Sequence, residues 1–141
     1  MAFTAVKFEQ FDFIVGKKQI DFSSDTIKYA LTNTEPDPAY TILGEITEIA
    51  YTNLTDDGPG TREMNITDYS SGPPTTVLTL DQIVLTASGG AVAEWQYLVF
   101  YDDDSTGDLL IAYYDYGLPV NMADTDSLVI AFTDNFISWA Y

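Results

Sequence analysis

The chain has 141 residues, of which 46% are hydrophobic and 14% aromatic, and its formal net charge is −17. It contains neither cysteine nor histidine, which excludes disulfides, thiolate metal sites, histidine-ligated zinc and the histidine base of a serine triad. The negative charge argues against nucleic acid and anionic membranes as partners, because both are bound by clustered lysine and arginine. One domain with a full core is expected, since a chain of this length buries roughly 68–70% of its unfolded surface.

The first residues, MAFTAVKFEQFDF, do not contain the long apolar segment of a secretory signal. No run in the sequence approaches the roughly 20 apolar residues that cross a bilayer. We therefore expect a protein that is made in the cytoplasm and has no membrane partner.

Charge is unevenly distributed along the chain. Residues 1–28 contain as many lysines as acids, whereas Arg62 is the one basic residue of the remainder, so the whole charge of −17 lies there. The first part also carries phenylalanines at spacings that mix helical and alternating patterns. This mixed spacing predicts a short helix near residues 4–15 or an extended arm. We assign residues 1–24 to this arm or helix and residues 25–141 to a β domain.

Short runs of alternating or β-branched residues predict strands along the rest of the chain. Between them, two prolines in residues 33–38 indicate a loop, and residues 42–50 favour one or two helical turns. The run at 63–69 has few large apolar residues, which is typical of an edge strand. Residues 75–86 predict one bent strand or two short strands. Outside the centre of the chain, the predicted strands are 25–33, 63–69, 75–80, 82–86, 127–133 and 136–141.

The longest apolar pattern is a hairpin at residues 92–117, around which the domain is organised. Strict alternation predicts that its first arm begins half exposed, with Glu94 and Gln96 outward, and ends buried on both sides. An acidic loop at residues 102–108 joins the arms, and Gly117-Leu118-Pro119 predicts the end of the second arm. The side chains predicted to share a face are Ala93, Trp95, Tyr97, Val99 and Tyr101 in the first arm, and Leu110, Ala112, Tyr114 and Tyr116 in the second.

About eight short strands, separated by turn signals and without a long helix, indicate an all-β protein. We predict an antiparallel β-sandwich with a short N-terminal helix or arm. A barrel is the alternative that the pattern leaves open.

Three stretches resemble a family of small structural proteins of tailed-bacteriophage virions. They read FSSDTIKYALTNTEPDP, ILGEITEIAYTN and IAYYDYGLPVNMADTDSLVIAF, and the MAFTAVKFEQF start also fits. The likeness covers most of the chain except residues 56–75. It implies a head decoration, or cement, protein: a β-sandwich, often a jelly roll, bound as a homotrimer on the outer surface of the capsid where major capsid subunits meet.

A decoration protein acts by binding alone, so the resemblance implies no enzyme activity, no cofactor and no metal. Its partners would be the major capsid protein and copies of itself. We expect the capsid-binding residues to be Phe3, Val6, Lys7, Phe8, Phe11, Lys17 and Lys18. We expect the oligomer interface to use tyrosines, whose rigid apolar rings carry one polar tip, namely Tyr113, Tyr114 and Tyr116. The alternative is that the phenylalanines cap the sandwich core and that at least two of the tyrosines pack inside it.

Acidic residues are the remaining candidates for chemistry. The loop acids, or the pair Asp56 and Asp57, offer carboxylates for calcium, but neither set has the spacing of a calcium-binding loop, and a solvated acidic turn is the favoured interpretation. A carboxylate pair for glycoside hydrolysis, such as Glu63 with Asp68, is not singled out by the sequence. Two other functions stay open: a tail or fibre module that binds a host glycan, which an exposed tryptophan or tyrosine in a shallow groove would favour, and a carboxylate-based glycan hydrolase. The loop acids are Asp102, Asp103, Asp104 and Asp108.

Overall fold

The computed structural model describes residues 2–3, 5–72, 75–132 and 137–140. Over these residues the chain forms eleven strands, one short helix and one 3-10 turn. The helix, α1, spans Phe11–Gly16, and the 3-10 turn spans Leu43–Glu45. The strands are β1 (Ala2–Phe3), β2 (Val6–Lys7), β3 (Ile27–Thr32), β4 (Leu54–Asp56), β5 (Ile66–Gly72), β6 (Thr75–Leu80), β7 (Ile83–Ala87), β8 (Val92–Asp102), β9 (Leu109–Met122), β10 (Ser127–Phe132) and β11 (Ile137–Ala140).

The strands form two layers, which confirms the predicted all-β, largely antiparallel, sandwich-like fold. The first layer is a four-stranded antiparallel sheet in the order β2-β9-β8-β3. The second layer contains two smaller sheets, β1-β10-β7-β4 and β11-β6-β5. Its pairs are antiparallel apart from β1, which runs parallel to β10. The jelly-roll connectivity that the resemblance implies stays a prediction.

The two smaller sheets are linked by the chain itself. β6 and β7 are separated only by Asp81 and Gln82, and β6 pairs with β11 while β7 pairs with β10. Of the two alternatives that the sequence left open here, two short strands are the one observed. β5 lies at the edge of its sheet, as predicted from its few large apolar residues.

The main core lies between the layers. The rings of Phe100 and Tyr114, from the first layer, meet Phe132 of the second layer edge-on at centroid distances of 5.7 and 5.8 Å. Leu98 and Leu85 are fully buried in the same cluster. Because burying one such side chain stabilises a fold by about 1.5–3 kcal/mol, this cluster holds the two layers together.

The outer face of the first layer is also covered. Val99, Leu110 and Tyr113 form a second buried cluster there, against which Tyr40 and Leu43 from the segment after β3 are packed. The prediction that β8 begins half exposed and ends buried on both sides is therefore confirmed.

Strict alternation fails at bulges in the central hairpin. Trp95 lies in the core between the layers, whereas Tyr97 lies in the outer cluster, so the predicted shared face of these residues is wrong. Phe100 of β8 pairs with Ala112 of β9, but the next residue, Tyr101, pairs with Leu110, which leaves Ile111 as an extra residue in β9. A bulge of this kind moves every following side chain to the opposite face.

The second arm does not end at Gly117-Leu118-Pro119, as predicted, but continues to Met122. Tyr97 pairs with Asp115 and Trp95 with Val120, so the extra residues of β9 bulge out of the ladder. Gly117 supports this bulge with a φ of +92°, which a residue without Cβ adopts at low cost. The proline lies in the bulge, where no ladder hydrogen bond is required of it.

The N-terminal segment is built into both layers. β1 pairs with β10 and β2 pairs with β9, so residues assigned to a separate arm belong to the sandwich sheets. The predicted helix near residues 4–15 is shorter, because α1 begins only at Phe11 after the chain has left β2. Phe11 and Ile14 on one side of α1 are buried in the main core.

Candidate functional site

An exposed surface surrounds α1, and we call it the N-terminal surface. It consists of Val6, Lys7, Phe13, Lys17 and Lys18, all of which are exposed. α1 buries Phe11 and Ile14, which leaves Phe13 on the opposite side of the helix. Phe13 is 61% accessible to solvent. Val6 is 47% accessible on the edge strand β2. The surface therefore combines an exposed ring, an aliphatic side chain and three cations.

Two of these lysines lie over aromatic rings. The Lys17 Nζ is 5.5 Å from the centroid of the Phe13 ring, and the Lys7 Nζ is 5.3 Å from that of Phe11. Lys7 also lies 4.0 Å from Asp12 Oδ1, in an exposed pair that contributes little to stability. Lys18 follows the helix with a φ of 57°, in the left-handed region. Such rings and cations are suited to a partner surface that carries carboxylates beside an apolar recess.

The expected capsid-binding residues separate into two groups. Phe8 and Phe11 are each 1% accessible and lie in the two core clusters, so their rings have no surface to offer a partner in this conformation. These two phenylalanines therefore pack in the core, which was the alternative to a capsid-binding role. The side chain of Phe3 lies outside the described residues. Of the residues predicted to bind the capsid, Val6, Lys7, Lys17 and Lys18 are exposed. Phe13 is also exposed, although the prediction did not include it.

The three tyrosines expected at an oligomer interface are also placed mainly inside the subunit. Tyr114 is fully buried between the layers, and Tyr113 packs on Phe8 with ring centroids 5.3 Å apart. Tyr116 is half buried and meets Trp95 edge-on at 5.7 Å. Core packing of two of the three was the alternative expected from the sequence. Tyr116 is partly accessible and precedes the exposed Leu118 of the β9 bulge by two residues.

Three carboxylates from two distant parts of the chain meet at the base of the β8–β9 loop, and we call them the carboxylate cluster. One oxygen from each of Asp25, Asp102 and Asp104 lies within 4.8 Å of one from each of the others. The register of the first layer brings them together, because Ile27 pairs with Asp102 and the Asp103 amide donates to the Thr26 carbonyl at 3.0 Å.

Backbone amides hold each member of the cluster in place. The Asp21 amide donates to Asp25 Oδ2 at 2.8 Å, and the Asp104 amide donates to Asp102 Oδ1 at 2.9 Å. The Thr26 amide donates to Asp104 Oδ2 at 2.6 Å. One oxygen of each carboxylate is thus fixed by the backbone, which orients the second oxygen.

Asp102 is the unusual member, because it is fully buried. Its Oδ2 accepts no hydrogen bond from the residues that the structure describes. Burial, together with the carboxyl of Asp25 at hydrogen-bonding distance, raises the pKa of Asp102 to about 8. The interpretation of the loop as a solvated acidic turn is therefore wrong for Asp102, although Asp103 and Asp104 are exposed. A signal was present in the sequence, since Asp102 continues the core-facing alternation of Leu98 and Phe100.

An open cleft of about 480 Å³ lies beside this cluster. Its lining includes Phe22, Asp25, Asn65 and Tyr69. Tyr69 is 43% accessible, and its ring meets that of Phe22 edge-on at 5.7 Å. An exposed tyrosine in a shallow groove was the feature expected of a glycan-binding module.

The carboxylate pair considered for hydrolysis is not described completely. Glu63 is half buried, whereas the side chain of Asp68 lies outside the described residues. Trp95 is fully buried, so it offers no ring to a ligand.

No protein-family model, curated protein or solved structure matches this chain. Within the described residues, none of the helical segments has the length and apolar character needed to cross a bilayer. What the protein binds is therefore inferred from its own residues.

Proposed function

We propose that this protein decorates the outside of a tailed-phage head, where it binds the major capsid protein and stabilises the expanded shell. The observation that carries the proposal is the N-terminal surface, an exposed Phe13 flanked by Lys17 and Lys18 on a subunit of net charge −17. The family resemblance of the sequence motifs supports it independently.

Charge favours this surface as the side that meets a partner. Residues 29–141 carry the whole net charge, with Arg62 as their one cation, so most of the subunit repels acidic surfaces. The lysines of the N-terminal surface remove that repulsion locally. A protein that must approach a shell would therefore be oriented by its field before any contact forms.

Rigidity makes the same surface suitable for tight binding. α1 is anchored through Phe11 and Ile14, so Phe13 is held outward without an ordering step on docking. Burying a phenylalanine ring in an apolar recess contributes about 1.5–3 kcal/mol, which corresponds to roughly 10–150-fold in affinity. Aromatic side chains that fill a pocket near the centre of an interface, inside a polar rim, commonly contribute much of the binding energy.

Self-association is part of the proposal. A trimer brings three strongly acidic subunits together, so its interface has to be apolar, with the acids at its rim. We assign to it two side chains of the β9 bulge, the half-buried Tyr116 and the exposed Leu118, which is 71% accessible. Light scattering is expected to give a trimer mass that persists in high salt. A monomer at micromolar concentration would remove this part of the proposal.

Binding to heads tests the capsid role directly. The purified protein is mixed with undecorated expanded heads and with unexpanded precursors, and bound protein is measured after sedimentation. We expect selective binding to expanded heads, reduced at least about tenfold by Phe13→Ser and by Lys17→Glu. Val129→Ser is the matched control, because Val129 is 51% accessible on β10 and outside the N-terminal surface. Equal binding of all variants would refute the docking surface, and no binding to either particle would refute the function.

Substitutions are preferable to deletion of the N-terminal segment. Removing residues 1–17 would take Phe8, Phe11 and Ile14 out of the two core clusters. Loss of binding by such a deletion would then reflect unfolding.

A tail or fibre module that binds a host glycan is the second candidate, and the cleft beside Tyr69 favours it. A sugar ring stacked on this tyrosine would find hydrogen-bonding groups on Asp25 and Asn65 along the same cleft. A glycan array distinguishes the two functions. Glycan binding that Tyr69→Ala abolishes, without binding to heads, would establish the second candidate in place of the first.

A further inference from the structure

We propose that Asp25, Asp102 and Asp104 bind one Ca²⁺ ion at the base of the β8–β9 loop. Such a site goes beyond capsid binding, since none of its residues belongs to the N-terminal surface.

The spacing of the carboxylates suits a single ion. Their oxygens lie within 4.8 Å of one another. Calcium holds its oxygen ligands at about 2.3–2.6 Å, so two ligands of the same ion are separated by no more than about 4.6–5.2 Å. The separations of the three oxygens are therefore of the size that ligands of one calcium ion have, and small side-chain rotations would bring all three to the ion.

A second observation points to a ligand between these groups. Asp102 is fully buried, and its Oδ2 has no hydrogen-bond donor among the described residues. The neighbouring carboxyl of Asp25 offers only oxygen acceptors when it is ionised, so it cannot donate a hydrogen bond to Asp102 Oδ2. A proton or a cation between the two carboxyl groups would satisfy both. The nearby Lys28 does not fill this role, because its Nζ pairs with Asp103 at 3.2 Å. The positive species is then either a cation from solution or a shared proton.

The character of the ligands favours calcium among cations. Carboxylates are hard oxygen ligands, and calcium accepts six to eight oxygens in irregular arrangements, whereas magnesium requires near-octahedral geometry at about 2.0–2.1 Å. Asp25 and Asp104 are only partly buried or exposed, so water has access to the remaining coordination positions. The backbone amides that hold one oxygen of each carboxylate keep the other oxygens oriented for the ion.

Binding would tie two separate segments together. Asp25 ends the turn that begins at Asp21, and Asp102 and Asp104 begin the hairpin loop. A calcium ion would cross-link this turn, through which the N-terminal segment enters β3, to the central hairpin.

Calorimetry with the full-length protein tests the site. Protein stripped with EDTA and dialysed is titrated with CaCl₂, and thermal unfolding is followed with and without calcium. We expect one ion per chain and a higher melting temperature with calcium. Asp25→Asn and Asp104→Asn should each weaken binding at least about tenfold, since even substitutions that only support a metal ligand cost roughly 10–100-fold. Both are at accessible positions, so they test the site even if Asp102→Asn fails to fold.

Asp103→Asn is the control variant. It removes the same charge from the same loop, but Asp103 pairs with Lys28 and lies outside the cluster. It should bind calcium with little change in affinity. Absence of calcium binding, or equal weakening by Asp103→Asn, would overturn the proposal and leave a shared proton between Asp25 and Asp102.

Discussion

The phenol of Tyr29 donates a hydrogen bond of 2.7 Å to Oδ2 of Asp56, which joins the buried strand β3 of the first layer to β4 of the second. Tyr29 is fully buried, and burial, reinforced by the carboxylate, raises its pKa above the ordinary value. The bond therefore connects the two layers of the sandwich through a polar contact within an otherwise apolar region.

Replacing Tyr29 with phenylalanine removes this bond and keeps the ring. We expect Tyr29→Phe to lower the free energy of unfolding by about 1.5–3 kcal/mol, because the acceptor is a carboxylate. Urea denaturation measures the change, with an unaltered m-value. Tyr40→Phe is the control, since no hydrogen bond of the Tyr40 hydroxyl is found among the described residues. Equal stability of the two variants would show that the contact contributes nothing.

The two layers also depend on the leucine that β8 contributes to the core. Leu98 is fully buried, whereas Val129 in β10 is 51% accessible and lies outside both proposed interfaces. We expect Leu98→Ala to cost about 2–5 kcal/mol of unfolding free energy and Val129→Ala at most about 1 kcal/mol. Chemical denaturation of both variants measures this difference. A small cost at Leu98 would contradict the placement of β8 in the core.

Buried tyrosines predict a loss of stability in alkali. Burial raises the pKa of Tyr114 above its ordinary value of 10.0, so the folded protein keeps this proton where the unfolded chain has lost it. The unfolded state then binds fewer protons, and stability falls as pH rises above about 10, by about 1.4 kcal/mol per pH unit for one such group. Below pH 10 the group contributes no pH dependence.

The variant Tyr114→Phe isolates this effect. Its unfolding free energy should fall less between pH 10 and pH 12 than that of the parent protein, measured by urea denaturation at each pH. Parallel curves for the parent and Tyr114→Phe would contradict the burial of the Tyr114 hydroxyl.

Much of the fold was predictable because alternation and turn-forming residues are local features of the sequence. Alternation of Ile27, Tyr29 and Leu31 marks β3, and the acidic loop marks the turn of the central hairpin. The position of bulges was not predictable. Both faces of the hairpin are apolar, so consecutive residues are hydrophobic whichever face they occupy. The sequence therefore does not show where an extra residue exchanges the two faces.

The candidate sites were harder to predict, because they depend on tertiary pairing. Asp25 approaches Asp102 only through the register of β3 against β8, which no local pattern encodes. The phenylalanines near the N-terminus show the same limit. Phe11 and Phe13 differ by two positions and have the same chemistry, yet the first is buried and the second exposed, since α1 turns one side to the core.

The bulge in β9 leads to a prediction about deletions. Because Ile111 is the residue without a partner in β8, its deletion brings Leu110 and Ala112 together and restores regular alternation, with each side chain still on its own face. The deletion variant should fold cooperatively, at a cost of about 2–5 kcal/mol for the buried isoleucine side chain.

Deletion of Val99 from the regular part of β8 is the comparison, because it moves the preceding side chains of the strand to the wrong face. Circular dichroism and urea denaturation should then show a cooperative transition for the first variant and none for the second. A folded Val99 deletion beside an unfolded Ile111 deletion would mean that the extra residue lies elsewhere in the hairpin.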